Sequence, residues 1–517
     1  MDDFIDRFYT KNTTAFCCFL AFACLCGAVF RFEQWFDFVN YHYYNVWAFY
    51  NGRADVDVLP AFVNTFFSPF ADIPAYHLIN ALNRRPVLFS AVMAVPYALM
   101  LFAVYKTAAL FFPADTRSGR IRIGLTLLLC VFSGNIFSQI CTTTNDMLPS
   151  AGVIAALHLI LCAVFFDRRR CGTKTAAAGF LLGAVTGLKL TFAPYAAATG
   201  VTLILFHGRI DRPVRTIALF AAAGAAGFAA AYGYWGWTLW KSYGNPFFPF
   251  FDSLFPSPYW NGGDYADSRY FDKPLIDLIL WPFLMFFDPT GEVPLQRFFV
   301  PSNLRYAVLY VLLVKAVLNA AEIKRKLSPE LLFSIVWLAV VWVLWLAFFR
   351  VQRYLVAFEA LSGIVLVHTL FKHARVSPKN RRFRLFLLFL AATAVDMPFV
   401  NYRRPADENL LPDDAFKLPS GSLLVLTDYP SALFVPFLVP DNATPAITHP
   451  LFSGEVNGSD FHARGPFAKK RNELFLKHLK SGTLYYLTVQ STDASCNRAG
   501  RLRKRPLYLC NWTNRYF

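Results

Sequence analysis

The apolar positions of this chain run on rather than alternate. Nearly unbroken apolar stretches fall at 14–32, 87–112, 123–140, 148–166, 175–188, 191–206, 216–240, 304–321, 330–349, 354–371 and 384–400. Many have the roughly 18–22 residues that a helix needs to cross a hydrocarbon core of about 30 Å. No water reaches that core, so each crossing segment must satisfy its own backbone hydrogen bonds, which a helix does. The predicted fold is an α-helical polytopic membrane protein with about 11 transmembrane helices.

The polar stretches between these runs are of two kinds. Short ones are basic: Arg117, Arg120 and Arg122; Arg168–Arg170 with Lys174; Arg209, Arg212 and Arg215; Lys324–Lys326; and KHARVSPKNRRFR at 372–384. Basic short loops mark the cytoplasmic side. The N-terminal MDDFIDRFYTK is balanced, so its placement on that side follows from the later loops. The first apolar run lacks a basic leader and a small-residue cleavage site and is expected to be retained.

The long hydrophilic segments 33–86, 241–303 and 401–517 then share the opposite side. This predicts a transmembrane domain over 1–400 and a soluble domain over 401–517. In the tail, SLLVLTD (422–428) and TLYYLTV (483–489) read as strands and 467–480 as a helix, a small α/β domain. Its only cysteines, Cys496 and Cys510, are expected to form a disulfide, with two free thiols the alternative. The other eight cysteines lie in or near apolar runs and read as small core residues.

Composition agrees with a bilayer protein: 517 residues, 56% hydrophobic and 17% aromatic. A formal charge of +17 would suit nucleic acid, but Lys and Arg cluster in the short loops, so topology explains the charge and no nucleic-acid partner is expected. No repeat pairs two halves with broken helices, as in many transporters, and no Walker, Rossmann or zinc-hydrolase motif is present. Chemistry is expected at the membrane surface.

Four stretches carry candidate chemistry. FDFVNYHYYNVWAFYNGR (36–53) follows the first span with an acid, a histidine and several tyrosines. On a continuous helix Glu33 and Asp37 stand at i and i+4, with Tyr41 and Tyr44 following on that side and His42 beside them. Paired carboxylates against aromatic walls raise the pKa of one member and provide a general base toward a hydroxyl; an interfacial aromatic belt with solvated acids is the alternative. CTTTNDMLPSAG (141–152) places Asn145 and Asp146 at a helix start, where capping alone would account for them. GLKLTFAPY (187–195) leaves Lys189 at the outer mouth of two short helices. That lysine opposes the charge bias of its face, so an anionic partner is expected, with snorkelling the alternative. FFRVQRYLVAFE (348–359) sets Arg350, Arg353 and Tyr354 at the outer surface, and the guanidinium fork suits phosphate oxygens. Beyond these, YGNPFFPFFDSLFPSPYW (243–260) is too punctuated for a span and reads as a surface element on the bilayer or a packing loop. Asp264, Asp267 and Arg269 after it are candidates for acceptor hydroxyls or are simply solvated.

The layout of many spans, an acidic first outer loop, a second outer loop ending in an Asp at a helix start, short fifth and sixth spans and a soluble C-terminal domain resembles the GT-C superfamily. These are polyprenyl-phosphate-sugar-dependent glycosyltransferases, and the aminoarabinose-transferase and protein O-mannosyltransferase branches are the most similar in layout. The resemblance covers roughly residues 1–400 and lies in architecture more than in motif. It implies a polyprenyl-phosphate sugar donor, a glycan or lipid acceptor, and inversion at the anomeric carbon. Asp37 matches the first-loop acid, the base, and Asp146 the second-loop acid. Lys189 and Arg353, with Arg350 and Tyr354, match the donor-phosphate contacts, and Tyr41, His42, Asn145, Asp264 and Arg269 are left as substrate contacts.

The chain departs from the family where many members have adjacent first-loop acids: here Glu33 precedes Asp37 by four residues, and Asp55, Asp57 and Asp72 follow. Which acid is the base stays open at this level. An activated phosphate leaves without a protonating acid, so Glu33 and Asp37 are not a glycosidase pair. No cofactor is required, and a divalent metal near Asp37 or Asp146 is compatible. A flippase or transporter of a lipid-linked sugar, and a glycan polymerase or ligase using a lipid-diphosphate donor, are the rival readings. The expected location is a bacterial inner membrane with the site and tail facing the periplasm; an endoplasmic-reticulum membrane has the same topology.

Overall fold

A computed structural model describes residues 8–9, 11–30, 32, 36–260, 264, 275–287, 304–318, 327–371, 380–394, 409–412, 417–427, 431–448, 465–488, 496–502 and 505–511. Where described, the predicted apolar runs are largely helical, but the run 123–140 stops at Val131 and resumes as the short helix Gly134–Ser138. Six helices are long and apolar enough to cross a membrane: Asn12–Phe30, Pro86–Phe111, Met147–Phe166, Pro213–Tyr243, Pro329–Phe348 and Gln352–Phe371. Leu190–Leu205 and Arg305–Val314 are shorter apolar helices, and Arg117–Val131, Cys171–Leu188 and Arg381–Ala394 cover the remaining runs. The chain is thus a polytopic, mostly helical membrane protein with one small sheet. Length and hydropathy qualify six crossings among the described residues rather than eleven.

One helix was not expected. Leu275–Phe287 lies inside the 241–303 stretch read as a hydrophilic loop. Asp277 and Pro282 interrupt its apolar run and keep it below span length, which hides it from a hydropathy reading. It packs on the helix Arg305–Leu318, with the rings of Phe283 and Tyr310 5.9 Å apart.

The chain folds as two compact units, and their border differs from a single cut at 400/401. The first unit is Met1–Arg31, Ser90–Tyr232 and Tyr270–Pro405; the second is Phe32–Phe89, Gly233–Arg269 and Ala406–Phe517. The stretches read as outer loops join the tail because the tail's sheet takes them in. Val58 bridges Ile447 in parallel, and the buried Arg53 donates to the carbonyls of Asn442 (2.8 Å) and Thr444 (2.7 Å).

In the first unit, small residues decide how closely helices approach. A Cβ on Gly183 of Cys171–Leu188 would lie 1.9 Å from the Gly224 carbonyl oxygen on Pro213–Tyr243, and one on Gly179 would lie 2.3 Å from that of Phe220. Between membrane helices, where lipid is as apolar as leucine, such close backbone contact supplies dispersion that burial alone does not. The helix Arg117–Val131 starts at Thr116, whose hydroxyl accepts the Gly119 N–H at 3.0 Å. The centre is aromatic: Trp337, Trp345, Tyr195 and Tyr306 are fully buried.

The second unit is built on a five-stranded sheet. Its strands are β1 (Leu423–Leu426), β2 (Ala446–Thr448), β3 (Leu484–Thr488), β4 (Cys496–Leu502) and β5 (Arg505–Asn511), in the order β2-β1-β3-β5-β4. β1 is parallel to β2 and β3, and β5 is antiparallel to β3 and β4. All four residues of β1 are buried, the pattern of a strand covered on both faces. The helix Gly465–Ser481 puts Phe475 into the same core as Val58, Phe66, Phe248 and Trp260. Within 243–260, Phe248 and Trp260 are therefore packing residues, while Phe251 and Leu254 stay exposed. Cys496 and Cys510 are opposite each other on β4 and β5 and are joined as a disulfide, with Cα atoms 4.0 Å apart.

Candidate functional site

Three chain reversals in the first unit bring Asp146, Lys189 and the turn around Arg353 together. Asp146 ends the Thr142–Thr144 loop and stands at the N-cap position of the helix beginning at Met147. The loop is held by its own polar groups: the Thr144 hydroxyl donates to Gln139 Oε1 at 2.6 Å and shares a hydrogen bond of 2.7 Å with Thr142. Asn145 has a positive φ of 56°, which asparagine tolerates better than most residues. The Asp146 carboxylate makes no cap hydrogen bond. It is instead ion-paired with Lys189 Nζ through Oδ1 and lies 3.8 Å from Arg353 Nε through Oδ2. Asp146 is 1% exposed.

Lys189 follows the helix Cys171–Leu188 in an extended conformation, and its ammonium also donates to the Thr144 carbonyl at 2.6 Å. Arg353 and Tyr354 lie on the short 3-10 turn Gln352–Leu355. The Tyr354 ring meets both cations, 5.2 Å from Lys189 Nζ and 5.4 Å from the Arg353 guanidinium carbon. The Lys189 and Arg353 side chains remain 17% and 23% exposed, so the cationic side of the cluster is open while its carboxylate is not. Arg350 stands just before this turn with φ of 55° and donates from Nε to the Leu346 carbonyl at 2.8 Å, closing the end of its helix. Burial holds its guanidinium below the ordinary arginine value.

Beneath the turn lies a buried network that sequence reading missed. Glu359, 0% exposed on the helix Val356–Phe371, accepts from Ser133 and Tyr306 hydroxyls and from Asn135 Nδ2 at 3.0 Å, with Arg305 Nη1 3.7 Å away. Its signal was a single acid inside an apolar run, which in a membrane protein marks a group kept for a purpose.

The other candidates belong to the second unit. Asp37 is half-buried and precedes a π-helix, Phe38–His42. The α-helical spacing read for Asp37, Tyr41 and Tyr44 therefore does not hold, since a π-turn runs i→i+5. Tyr44 donates to Asp57 at 2.5 Å; burial and that carboxylate hold its phenol well above the ordinary value. Tyr41 stacks near His42 with ring centres 4.1 Å apart, and His42 Nδ1 is 2.7 Å from Asp72 Oδ1. Asp57 and Asp72, considered as alternative bases, are thus engaged by Arg53 and Tyr44 and by His42 respectively. Asp264 accepts the backbone N–H of Ser253 at 2.9 Å and its hydroxyl, and these hold its carboxyl below the usual range. It closes a loop. Glu33, Asp267 and Arg269 lie outside the described residues.

No protein-family model and no curated protein sequence matches the chain. Among solved structures it is similar to the crystal structure of the Archaeoglobus fulgidus oligosaccharyltransferase in the apo form, at 14% identity and a TM-score of 0.46, over 93% of this chain and 70% of that one.

Proposed function

We propose that the chain is a GT-C-type membrane glycosyltransferase that moves a sugar from a polyprenyl-phosphate donor to a hydroxyl of a glycan or lipid acceptor. The observation that carries this reading is the pairing of Lys189 and Arg353 about Tyr354 against the single buried carboxylate of Asp146. Two cations, one counter-charge and the ends of apolar helices favour an anionic headgroup whose tail stays in hydrocarbon. In the transfer, the acceptor oxygen bonds to the anomeric carbon as the bond to the phosphate oxygen breaks with inversion. Lys189 and Arg353 take up the charge that the leaving phosphate gains. The acceptor's proton goes to Asp37, an assignment that rests on the family resemblance alone.

With a cation facing each of its oxygens, Asp146 aims Lys189 and Arg353, a role added to that of the second-loop acid which the resemblance implies. The basic short loops favour chemistry on the face opposite the cytoplasm, the periplasmic face of a bacterial inner membrane.

The test is transfer by the purified protein in lipid, from a panel of polyprenyl-phosphate sugars to a cell-envelope lipid extract, with and without EDTA. Parent activity is expected, with losses of roughly 100-fold or more in Asp37→Asn and in Lys189→Ala. Lipid-linked sugar bound by the parent without any transfer would move the reading to a flippase.

A further inference from the structure

Three carbonyls of the segment that carries Arg353 are each gripped by a side chain from elsewhere in the first unit. Trp345 Nε1 donates to the Val351 carbonyl at 2.8 Å, Asn135 Nδ2 to that of Gln352 at 3.1 Å, and the Tyr195 hydroxyl to that of Tyr354 at 2.6 Å. Two of these grips are self-sufficient: Trp345 and Tyr195 are large, fully buried rings fixed by packing. Asn135 is short, and its amide could rotate. What prevents rotation is chemistry, because both groups that it faces, the Gln352 carbonyl and the Glu359 carboxylate at 3.0 Å, only accept hydrogen bonds. The amide must therefore turn its NH2 to both.

We infer that Glu359 is a positioning residue for the anion-binding turn: acting through Asn135, it fixes the Gln352 carbonyl and so the angle at which Arg353 and Tyr354 meet Lys189. The inference rests on the donor-phosphate reading for its functional meaning. The remaining partners of Glu359 hold the carboxylate in place from the other side. Ser133 uses its hydroxyl twice, donating to Glu359 and accepting the Ile136 N–H at 3.3 Å at the start of the short helix that carries Asn135. Arg305 donates to the Glu359 backbone carbonyl at 3.1 Å and to that of Leu129 at 2.5 Å. Its two oxygens accept from Ser133, Tyr306 and Asn135, and an acceptor is what the Asn135 amide requires. A purely apolar packing at this place would serve stability as well or better. It would leave the Asn135 amide without its orienting partner.

The test needs a readout that a loss of stability does not move. With 3-fluorotyrosine installed at position 354, the fluorine resonance reports the field of the two cations that face that ring. Binding of farnesyl phosphate is the second readout, and Gly119→Ala, which puts a Cβ 1.8 Å from the Pro113 carbonyl oxygen at the start of Arg117–Val131, is the structural control. In Glu359→Gln and Asn135→Ala the resonance is expected to shift or split and farnesyl phosphate to bind about tenfold more weakly. Gly119→Ala is expected to lower the melting temperature and leave both readouts unchanged. Should Glu359→Gln fail to fold, Asn135→Ala keeps the test, because Glu359 there retains Ser133, Tyr306 and Arg305. Resonance and affinity equal to the parent in Asn135→Ala, with only the melting temperature lowered, would overturn the inference. A parent that ignores farnesyl phosphate while Asn135→Ala still moves the resonance would remove the donor reading and leave the positioning role standing.

Discussion

At the scale of single residues, two substitutions separate binding from alignment. Arg350 holds φ of 55° at a helix end where glycine is the usual occupant. A non-glycine residue in that region costs roughly 1 kcal/mol or more, and such strain persists where the side chain is needed. Arg350→Gly is expected to be more stable than Arg350→Ala by about 1 kcal/mol in thermal unfolding. Both should bind farnesyl phosphate equally weakly. Asp146→Asn makes the opposite separation. Removing the counter-charge leaves Lys189 and Arg353 more positive, so affinity for farnesyl phosphate should equal or exceed that of the parent, while transfer falls because the cations lose their alignment. Weaker binding would mean that Asp146 itself shapes the phosphate pocket. The ammonium at Lys189 was legible in sequence, since a lysine on a face that lacks them needs an anion. Its partner was legible as a helix cap and, through the family resemblance, as a second-loop acid, but not as an ion pair, because a cap and an ion pair need the same residue at the same place. Glu359 stood out as an acid inside an apolar run, but its network was not legible, because the donors that define it come from positions 133, 135, 305 and 306, and no local pattern joins them.

At the scale of elements, the apolar runs foretold the helices because a bilayer leaves the chain no other way to satisfy its backbone. They did not foretell how helices meet. Gly183→Ala places a Cβ 1.9 Å from a carbonyl oxygen, which must force the two helices apart at a cost of about 1–3 kcal/mol. Gly124→Ala, on Arg117–Val131 with nothing within 4 Å of the added carbon, should be neutral or stabilising by up to about 1 kcal/mol. Thermal unfolding of the two in one detergent checks both signs. The π-helix Phe38–His42 escaped the sequence because its extra residue per turn is imposed by what its side chains meet, Asp72 for His42 and Phe67 for Tyr41, and not by the local pattern. In the second unit, Asp441 ties the turn before β2, accepting from Ser420 Oγ (2.8 Å), the Thr444 N–H (2.8 Å) and the Ala443 N–H (2.9 Å). The Ser420 hydroxyl, and then Thr444, hold its carboxyl below the ordinary range. A depressed folded pKa stabilises above the unfolded value, about 3.9, and that gain is lost as pH falls through the folded value. Parent and Asp441→Asn are expected to differ in melting temperature at pH 6 and to converge as pH falls below about 4.

At the scale of the whole molecule, the second unit is assembled from three separate lengths of chain, and a linear cut could not show it. Composition does shift near residue 400, and the structural border at Ala406 lies close to it. What the sequence could not reveal is that residues 32–89 cross over to the tail, because the bond that takes them there looks local. Arg53 and Asp57 are four residues apart and read as an ordinary helical pair, yet both are buried. Arg53 donates from Nε and Nη2 to the two Asp57 oxygens at 2.9 and 2.5 Å, and Asp57 in turn accepts the Ala446 N–H at 2.8 Å at the head of β2. Two residues of one segment thus occupy three backbone groups and a carboxylate that would otherwise lack its charged partner. Arg53→Ala leaves the Asp57 charge in the interior with only Tyr44 and one amide, and is expected to destabilise by about 3–5 kcal/mol. Arg53→Lys keeps the charge but has no fork to reach the carboxylate and two carbonyls together, so it should fall between the parent and Arg53→Ala. Limited proteolysis after residue 405 discriminates the order: tail cleavage should be slowest in the parent and fastest in Arg53→Ala. If Arg53→Lys matches the parent, charge alone joins the segments and the fork geometry is incidental.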